Sequence, residues 1–488
     1  MPLVVVLLPA AAGALSFLLR GDAARRGLLV LTAAAHAAVV ASFWVDRPEP
    51  MLADWIAVDA LGLLVLTIAS GLFLTASVYG VGYLAREGPD VRPDFFQRGR
   101  LIANEPEAVF VGALLFFLAA MSLASVSHHF GLLWVAIEAT TLTSAPLIYF
   151  HRHQRSLEAT WKYLVIGSVG IAVALLGTFF LAASASGTEE GPVVVEALVS
   201  RAASLDPTWL KAAFIAMLVG YGTKVGLAPM HSWLPDAHSE APSLVSALLS
   251  GALLNTAFLG ILRTLEVLGA AGLGDFGREL LLIFGFISMG IGAAFIIQQR
   301  DYKRMLAYSS VEHMGIVAIG IGIGGGAPFG AMLHAVNHSV AKAMLFLIAG
   351  NILALYRTKT VQEVSGVIGL APVTGMLWVA GFLAVTGTPP FGAFVSEFSI
   401  LRGAIDDGAW IVAAGFLVLL AAVFVGMASS FLGMAQGEAT DVSRGGRESI
   451  LAVAPPALLG AVALLLGLWV PPGLADVAHE AARAIGGA

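Results

Sequence analysis

Cysteine is absent from all 488 residues, so the chain can form no disulfide and can ligate no iron–sulfur cluster through its own thiolates. Any redox chemistry must then reside in partner proteins. Charge is scarce as well: 12% of residues are charged, and the net value of −6 is spread over loops of both signs, which leaves no basic patch for nucleic acid. What fills the chain instead is apolar. Hydrophobic residues make up 58% and the mean hydropathy is +0.88, more than one soluble core requires. The composition defines an integral membrane protein.

Fourteen apolar stretches are long enough to cross a hydrocarbon core, which takes about 20 residues. The expected fold is therefore an all-α polytopic bundle. The fifth stretch covers 130 to 150, the seventh 208 to 228, the eighth 244 to 268, the tenth 304 to 324, the eleventh 328 to 355 and the twelfth 372 to 400. The first, 2 to 19, lacks a basic leader and is followed by Arg20, Arg25 and Arg26, so it reads as a retained helix, not a signal peptide. Lys and Arg accumulate on the cytoplasmic side of membrane proteins. Loops after odd-numbered stretches hold seventeen of them, including Arg98, Arg100, Lys303, Arg304, Arg444 and Arg447; those after even-numbered stretches and the tail hold seven, including Arg263. This asymmetry predicts a multi-pass protein of the inner (plasma) membrane with both termini outside. Two lysines, Lys224 and Lys342, remain inside the membrane.

Similar features recur at nearly constant separation. "LLWVAIEATT" carries Glu138 and "LAYSSVEHMG" carries Glu312, 174 residues later; "EATWKYLVIG" carries Lys162 and "SVAKAMLFLIAG" carries Lys342, 180 later. Lys224 precedes Pro229, Pro235 and Pro242, and 173 residues on, Glu397 follows Pro389, Pro390 and Gly392. Since the matching stretches are five apart, an odd number, the two units must run in opposite directions. Inverted repeats with Gly/Pro-interrupted helices at matching positions mark binding sites in many transporters. The organisation expected is residues 1–104 with three N-terminal spans, 105–275 and 276–435 as two inverted five-helix repeats, and 436–488 with a last span and tail.

A charged side chain at a helix centre costs roughly 2.5 to 3.5 kcal/mol on insertion scales, so such residues face protein or water and find partners. Glu138 lies among Thr140, Thr141, Thr143 and Ser144, which offer hydroxyls, and is the natural counter-charge for Lys224. His334, His338 and Lys342 follow one another at i, i+4 on one helical face. Two histidines four apart can bind zinc, but a third ligand is not apparent and HEXXH is absent, so no metal is expected. A polar packing face or a wet proton relay are the remaining readings, and imidazole passes protons in both directions. Glu312 and His313 lie inside the tenth stretch as further relay candidates, with Lys162. In the broken seventh helix, where Pro229 and Pro235 mark the break, His231, Asp236, His238 and Glu240 read first as caps for the half-helices. His128 and His129 read as residues near the surface, and Arg300, Asp301, Lys303 and Arg304 as an ordinary turn.

The segments "KVGLAPMHSWLPDAHSEAPSLVSALLSG", "DYKRMLAYSSVEHMG", "HAVNHSVAKAMLFLIAG" and "GTPPFGAFVSEF" resemble the antiporter-like proton-channel subunits of respiratory complex I and its relatives. The wording around Glu312 is most similar to the version in group 4 membrane-bound hydrogenases and formate hydrogenlyases. The resemblance covers about residues 105 to 435. It implies a fourteen-helix core, no cofactor of the chain's own, other membrane subunits as partners, surrounding lipid, and a soluble redox arm attached through those subunits. By the same resemblance the proton relay comprises Glu138, Lys224, His334, His338, Lys342 and Glu397. One position departs: where the family often has a central His or Lys, the eighth stretch offers Ser250 and Asn255, which do not titrate. Too little chain follows residue 470 for the long lateral helix of one family branch.

Proton movement follows from the residues as a switching expectation. With Glu138 close, Lys224 holds its proton; with Glu138 withdrawn or neutralised, the proton passes to His334, His338 and Lys342, then Glu397. The chain itself is then a non-redox subunit of an oxidoreductase complex of hydrogenase or NADH:quinone type. A subunit of a multisubunit Na+/H+ antiporter is the main alternative, and a purely structural membrane anchor is another.

Overall fold

A computed structural model describes residues 2–87, 92–93, 101–186, 193–438 and 448–487. Arg98, Arg100, Arg444 and Arg447, counted among the basic loop residues, lie outside them. The helices in order are α1 Val4–Leu18, α2 Asp22–Phe43, α3 Ala60–Arg86, α4 Glu107–Val126, α5 Phe130–Ile148, α6 Gln154–Ser184, α7 Val195–Ser200, α8 Pro207–Val225, α9 Trp233–Glu240 and α10 Ser243–Leu248. They continue with α11 Leu254–Ala270, α12 Gly274–Ile296, α13 Tyr302–Ile323, α14 Ala327–Tyr356, α15 Val367–Leu370, α16 Pro372–Val385, α17 Gly392–Asp406, α18 Trp410–Ala435, α19 Ile450–Leu468 and α20 Pro472–Ala484. A two-residue antiparallel ladder joins Arg92–Pro93 to Leu101–Ile102. Among the described residues, eleven helical runs are long and apolar enough to span a membrane, and α1 and α16 are shorter apolar helices.

The layering follows from where each helix can hide polar groups. The apolar centre of the run α10–α11 is wholly buried and that of α13 almost so, whereas α5, α6, α12, α18 and α19 turn large side chains such as Leu142, Phe179, Phe295, Val425 and Leu458 outward. An apolar belt around a centre holding lysines and histidines reverses the soluble pattern and suits a bilayer, where lipid contributes no hydrophobic drive and close packing holds helices together. The α6–α8 contact illustrates this: a Cβ on Gly220 would stand 2.5 Å from the Ala174 backbone nitrogen, so only glycine permits that approach.

Two helices break within the bundle. The seventh stretch is α8, a left-handed Gly226 at φ +81° and then α9, with freed backbone groups satisfied by Trp233 Nε1 donating to the Thr223 carbonyl (2.7 Å) and Ala228 N–H donating to Ser288 Oγ (2.9 Å). The twelfth stretch is two helices, α16 and α17, and Asn337 Nδ2 donates to the Gly392 carbonyl (2.8 Å) at the second one's start. Irregular backbone at membrane depth is tolerated only where protein satisfies it in this way. The central run also departs from regularity: Leu249–Leu253, between α10 and α11, is a π-helical turn carrying Ser250.

Three loop assignments made from sequence do not hold. Arg263, counted as a loop residue, lies in α11 and is fully buried, because Asp59 supplies a bidentate partner at 2.5 and 2.6 Å. Lys303, taken as part of an exposed turn, is buried and donates to the Ala241 carbonyl (2.6 Å). His128 is only 2% exposed, held between carboxylates.

Candidate functional site

In the first half of the chain, α5, α6 and α8 bring Glu138, Tyr163 and Lys224 together. Lys224 is completely buried. Its ammonium donates to Thr141 Oγ1 (2.8 Å) and Tyr163 OH (2.6 Å) and lies 4.4 Å from the centre of the Tyr163 ring, a cation–π contact. Thr141 in turn donates to Glu138 Oε2 (3.1 Å), while Ser168 donates to Oε1 (3.0 Å). The expected Glu138–Lys224 pair is thus bridged by a hydroxyl. Among the described residues, neither Lys224 nor Lys342 is in ion-pair contact with a carboxylate. Tyr163 OH also shares a hydrogen bond with Ser144 Oγ (2.6 Å), so the two lysine partners belong to one hydroxyl chain.

The second half is built from α13, α14 and α17 and is rich in imidazole. Lys342 donates to the Leu306 carbonyl (3.0 Å) and to Ser309 Oγ. On the same helices, His313, His334 and His338 are each no more than 1% exposed. Their hydrogen bonds allow one continuous proton arrangement. With the Ser396 Oγ proton on the Ala393 carbonyl (2.9 Å), that oxygen accepts from His334 Nδ1 (3.0 Å). His334 Nε2 is then a lone pair and accepts from His313 Nδ1 (2.9 Å). His313 Nε2 is left facing Glu312 Oε2 at 3.6 Å, and both atoms lack a hydrogen-bond partner among the described residues. One proton between those two atoms would complete the file.

Glu397 joins this group from α17. Its carboxylate lies so that one ligand atom each from His313, His334 and Glu397 fall within 4.8 Å of one another, and Glu397 Oε1 has no hydrogen-bond partner among the described residues. Gly387, at φ +59°, lines the other oxygen, and a Cβ there would overlap Glu397 Oε2. The break between α16 and α17 therefore makes room for the acid.

The two halves approach through α9 and the π turn. His338 Nε2 is 3.4 Å from the Ser250 carbonyl, and its ring centre is 4.9 Å from that of His313. Ser250 and Ser310 share a hydroxyl contact (2.8 Å), and Asn255 Nδ2 donates to Ser339 Oγ (2.8 Å). His238, read from sequence as a cap, is fully buried in α9; neither ring nitrogen has a partner among the described residues, and the ring stacks on Phe346 with Lys342 within electrostatic reach.

Other predicted residues stand apart. Lys162 is 44% exposed and pairs with Glu158 (2.7 Å) and Asp236 (2.9 Å), and Arg304 also binds Asp236 (2.9 Å). Its neighbour Tyr163 takes the inward position instead. His231 is half-buried, its Nδ1 without a partner among the described residues. Pro229 and Pro389–Pro390 lie in the two breaks and Pro235 sits in α9. Sequence reading missed Tyr163, Ser309 and Ser396. Hydroxyls at helical spacing are common in membrane bundles, and nothing in the local sequence separates Tyr163, which is buried, from Trp161 and Val165 beside it, which face outward.

A second charged cluster lies at the other end of α11. Arg263 binds Asp59 and also contacts His128 Nε2 (3.0 Å), while His128 Nδ1 meets Glu196. Burial raises the Asp59 carboxyl, but Arg263 and His128 outweigh it and hold the group well below the ordinary carboxylate range. Burial and Arg263 depress His128, yet Asp59 and Glu196 prevail and raise it above its usual value.

A helical membrane bundle with two interrupted helices, one carrying the buried Lys224 and the other Glu397, beside a buried Lys342, defines an antiporter-like class. Residues 127–424 match the family described as NADH:quinone oxidoreductase/Mrp antiporter, transmembrane region, and the chain belongs to that family. A hydrogenase-4 component F homolog from Methylacidiphilum infernorum is 38% identical over 396 residues, covering 79% of this chain and 80% of that one. The fold is similar to a chain of the membrane-bound sulfane sulfur reductase, an archaeal respiratory membrane complex, with a TM-score of 0.87 at 18% identity over 100% of this chain and 98% of that one. It is also similar to a chain of the Mrp complex from Dietzia, with a TM-score of 0.85 at 21% identity over 99% and 96%.

Proposed function

We propose that the chain is the proton-translocating membrane subunit of a complex I-like or group 4 hydrogenase-like redox complex. Other membrane subunits are its partners, and they carry the soluble redox arm. The observation that carries this reading is that Lys224 and Lys342 are both fully buried, each held by hydroxyl or carbonyl oxygens and not by a carboxylate. A lysine so placed can lose its proton without breaking an ion pair, and moving one charge across 100 mV involves about 2.3 kcal/mol, within reach of modest rearrangement. Glu138, Lys224, His238, His338, Lys342, Glu312, His313, His334 and Glu397 form the route.

The fourteen-span count, the two inverted units 105–275 and 276–435 and the outward termini belong to the same proposal. Their support is the two interrupted helices, one carrying Lys224 and the other Glu397, and the basic-residue asymmetry. A sodium carrier would require several oxygen ligands at the site, and a lysine there repels the sodium ion. Purified complex in sealed vesicles, with an internal pH dye and redox turnover, tests this: acidification independent of sodium supports proton transport, and strict sodium dependence rejects it.

A further inference from the structure

We propose that His313 Nδ1, His334 Nε2 and the Glu397 carboxylate form a binding site for a divalent first-row transition cation, with Zn2+ as its probe, and that occupancy blocks the relay. The inference rests on the proton-relay reading only for the block; the binding stands on geometry. Sequence spacing paired His334 with His338 and showed no third ligand; the fold instead sets His334 beside His313 and Glu397 by bringing α13, α14 and α17 together.

The donor set and its surroundings suit such an ion. Two imidazoles and a carboxylate are all buried and their ligand atoms lie within 4.8 Å of one another. Zinc bonds to N and O are about 2.0 to 2.2 Å, so a modest contraction closes the shell and leaves a fourth position for water. His334 is already oriented, since its Nδ1 donates to Ser396 Oγ and its Nε2 lone pair points at His313. Glu397 binds as the carboxylate, releasing the proton it holds to solvent, and His313 gives up its Nδ1 proton. Moved to Nε2, it faces Glu312 Oε2, now 3.6 Å away, and the two partnerless atoms become a hydrogen-bonded carboxylate–histidine–metal triad. Glu397 Oε1, also without a partner among the described residues, becomes a ligand. Filling the site satisfies three orphaned atoms at once, and it removes the His313–His334 hydrogen bond that the file depends on.

Equilibrium Zn2+ binding to the purified complex, read by metal analysis after desalting and by the visible spectrum of the Co2+ form, tests the site. One tight site per chain is expected, with tetrahedral-type Co2+ absorption, at least about tenfold weaker in His334→Ala and Glu397→Gln, about tenfold weaker in Glu312→Gln, and unchanged in His479→Ala, whose ring lies in α20 stacked on Phe329 outside the site. Equal binding in wild type and both ligand variants overturns the site, and so does the absence of a tight site in wild type. Should Glu397→Gln misassemble, His334→Gln with retained thermal unfolding carries the same comparison. Vesicle assays separate the two readings: Zn2+ bound without any loss of proton movement removes the block, and wild type that moves no protons yet binds Zn2+ removes the relay reading alone.

Discussion

The two halves of the buried line solve one problem differently. Around Lys224 every contact is a hydroxyl or a ring face, and Thr141 stands between lysine and Glu138; the half that holds Lys342 contains three imidazoles, with four side-chain atoms of Glu312, His313, His338 and Glu397 lacking partners among the described residues. Hydroxyls can accept and donate while remaining neutral, so the first half keeps its hydrogen bonds whether Lys224 holds or loses its proton. Unsatisfied buried groups are costly, about 1–3 kcal/mol each. The second half is the one with open positions for a further proton or an ion.

That contrast breaks first at Glu312. Glu312→Gln removes the acid beside His313 Nε2, and proton movement per redox turnover should fall at least about tenfold, measured in sealed vesicles; retention of half or more would show the file is not used. Gly387→Ala should come next, lowering stability by roughly 1–3 kcal/mol through overlap with Glu397, whereas Gly369→Ala, with open space around it, should leave the thermal midpoint unchanged. Tyr163→Phe deletes one hydroxyl in the first half, where Thr141 remains; transport should slow about two- to tenfold, the equivalent of one hydrogen bond. The smallest effect concerns His128, outside both halves. Its folded value is raised, so its stabilisation is complete below about pH 6.5 and is lost as pH rises through the folded value. The stability gap between wild type and His128→Gln should therefore narrow on going from about pH 6 to alkaline conditions, as followed by thermal unfolding.

Much of this was legible in the sequence because membrane burial makes charge conspicuous. Lys224, Lys342 and Glu397 announce themselves in apolar runs, and the prolines after Lys224 and before Glu397 mark the breaks. The hydroxyl partners were not legible, since Thr, Ser and Tyr are tolerated anywhere in a bundle, and neither was the inward turn of Tyr163 beside exposed Lys162. Arg263 was misread for a different reason: near the end of a stretch, a buried bidentate ion pair and a loop cation look alike until Asp59, 204 residues away, is placed beside it.

The direct test of the central claim is proton movement by the assembled complex carrying Lys224→Ala, at normal redox turnover in sealed vesicles. The account predicts that turnover persists while protons moved per turnover fall at least about tenfold. Undiminished proton movement by a correctly assembled variant would contradict it.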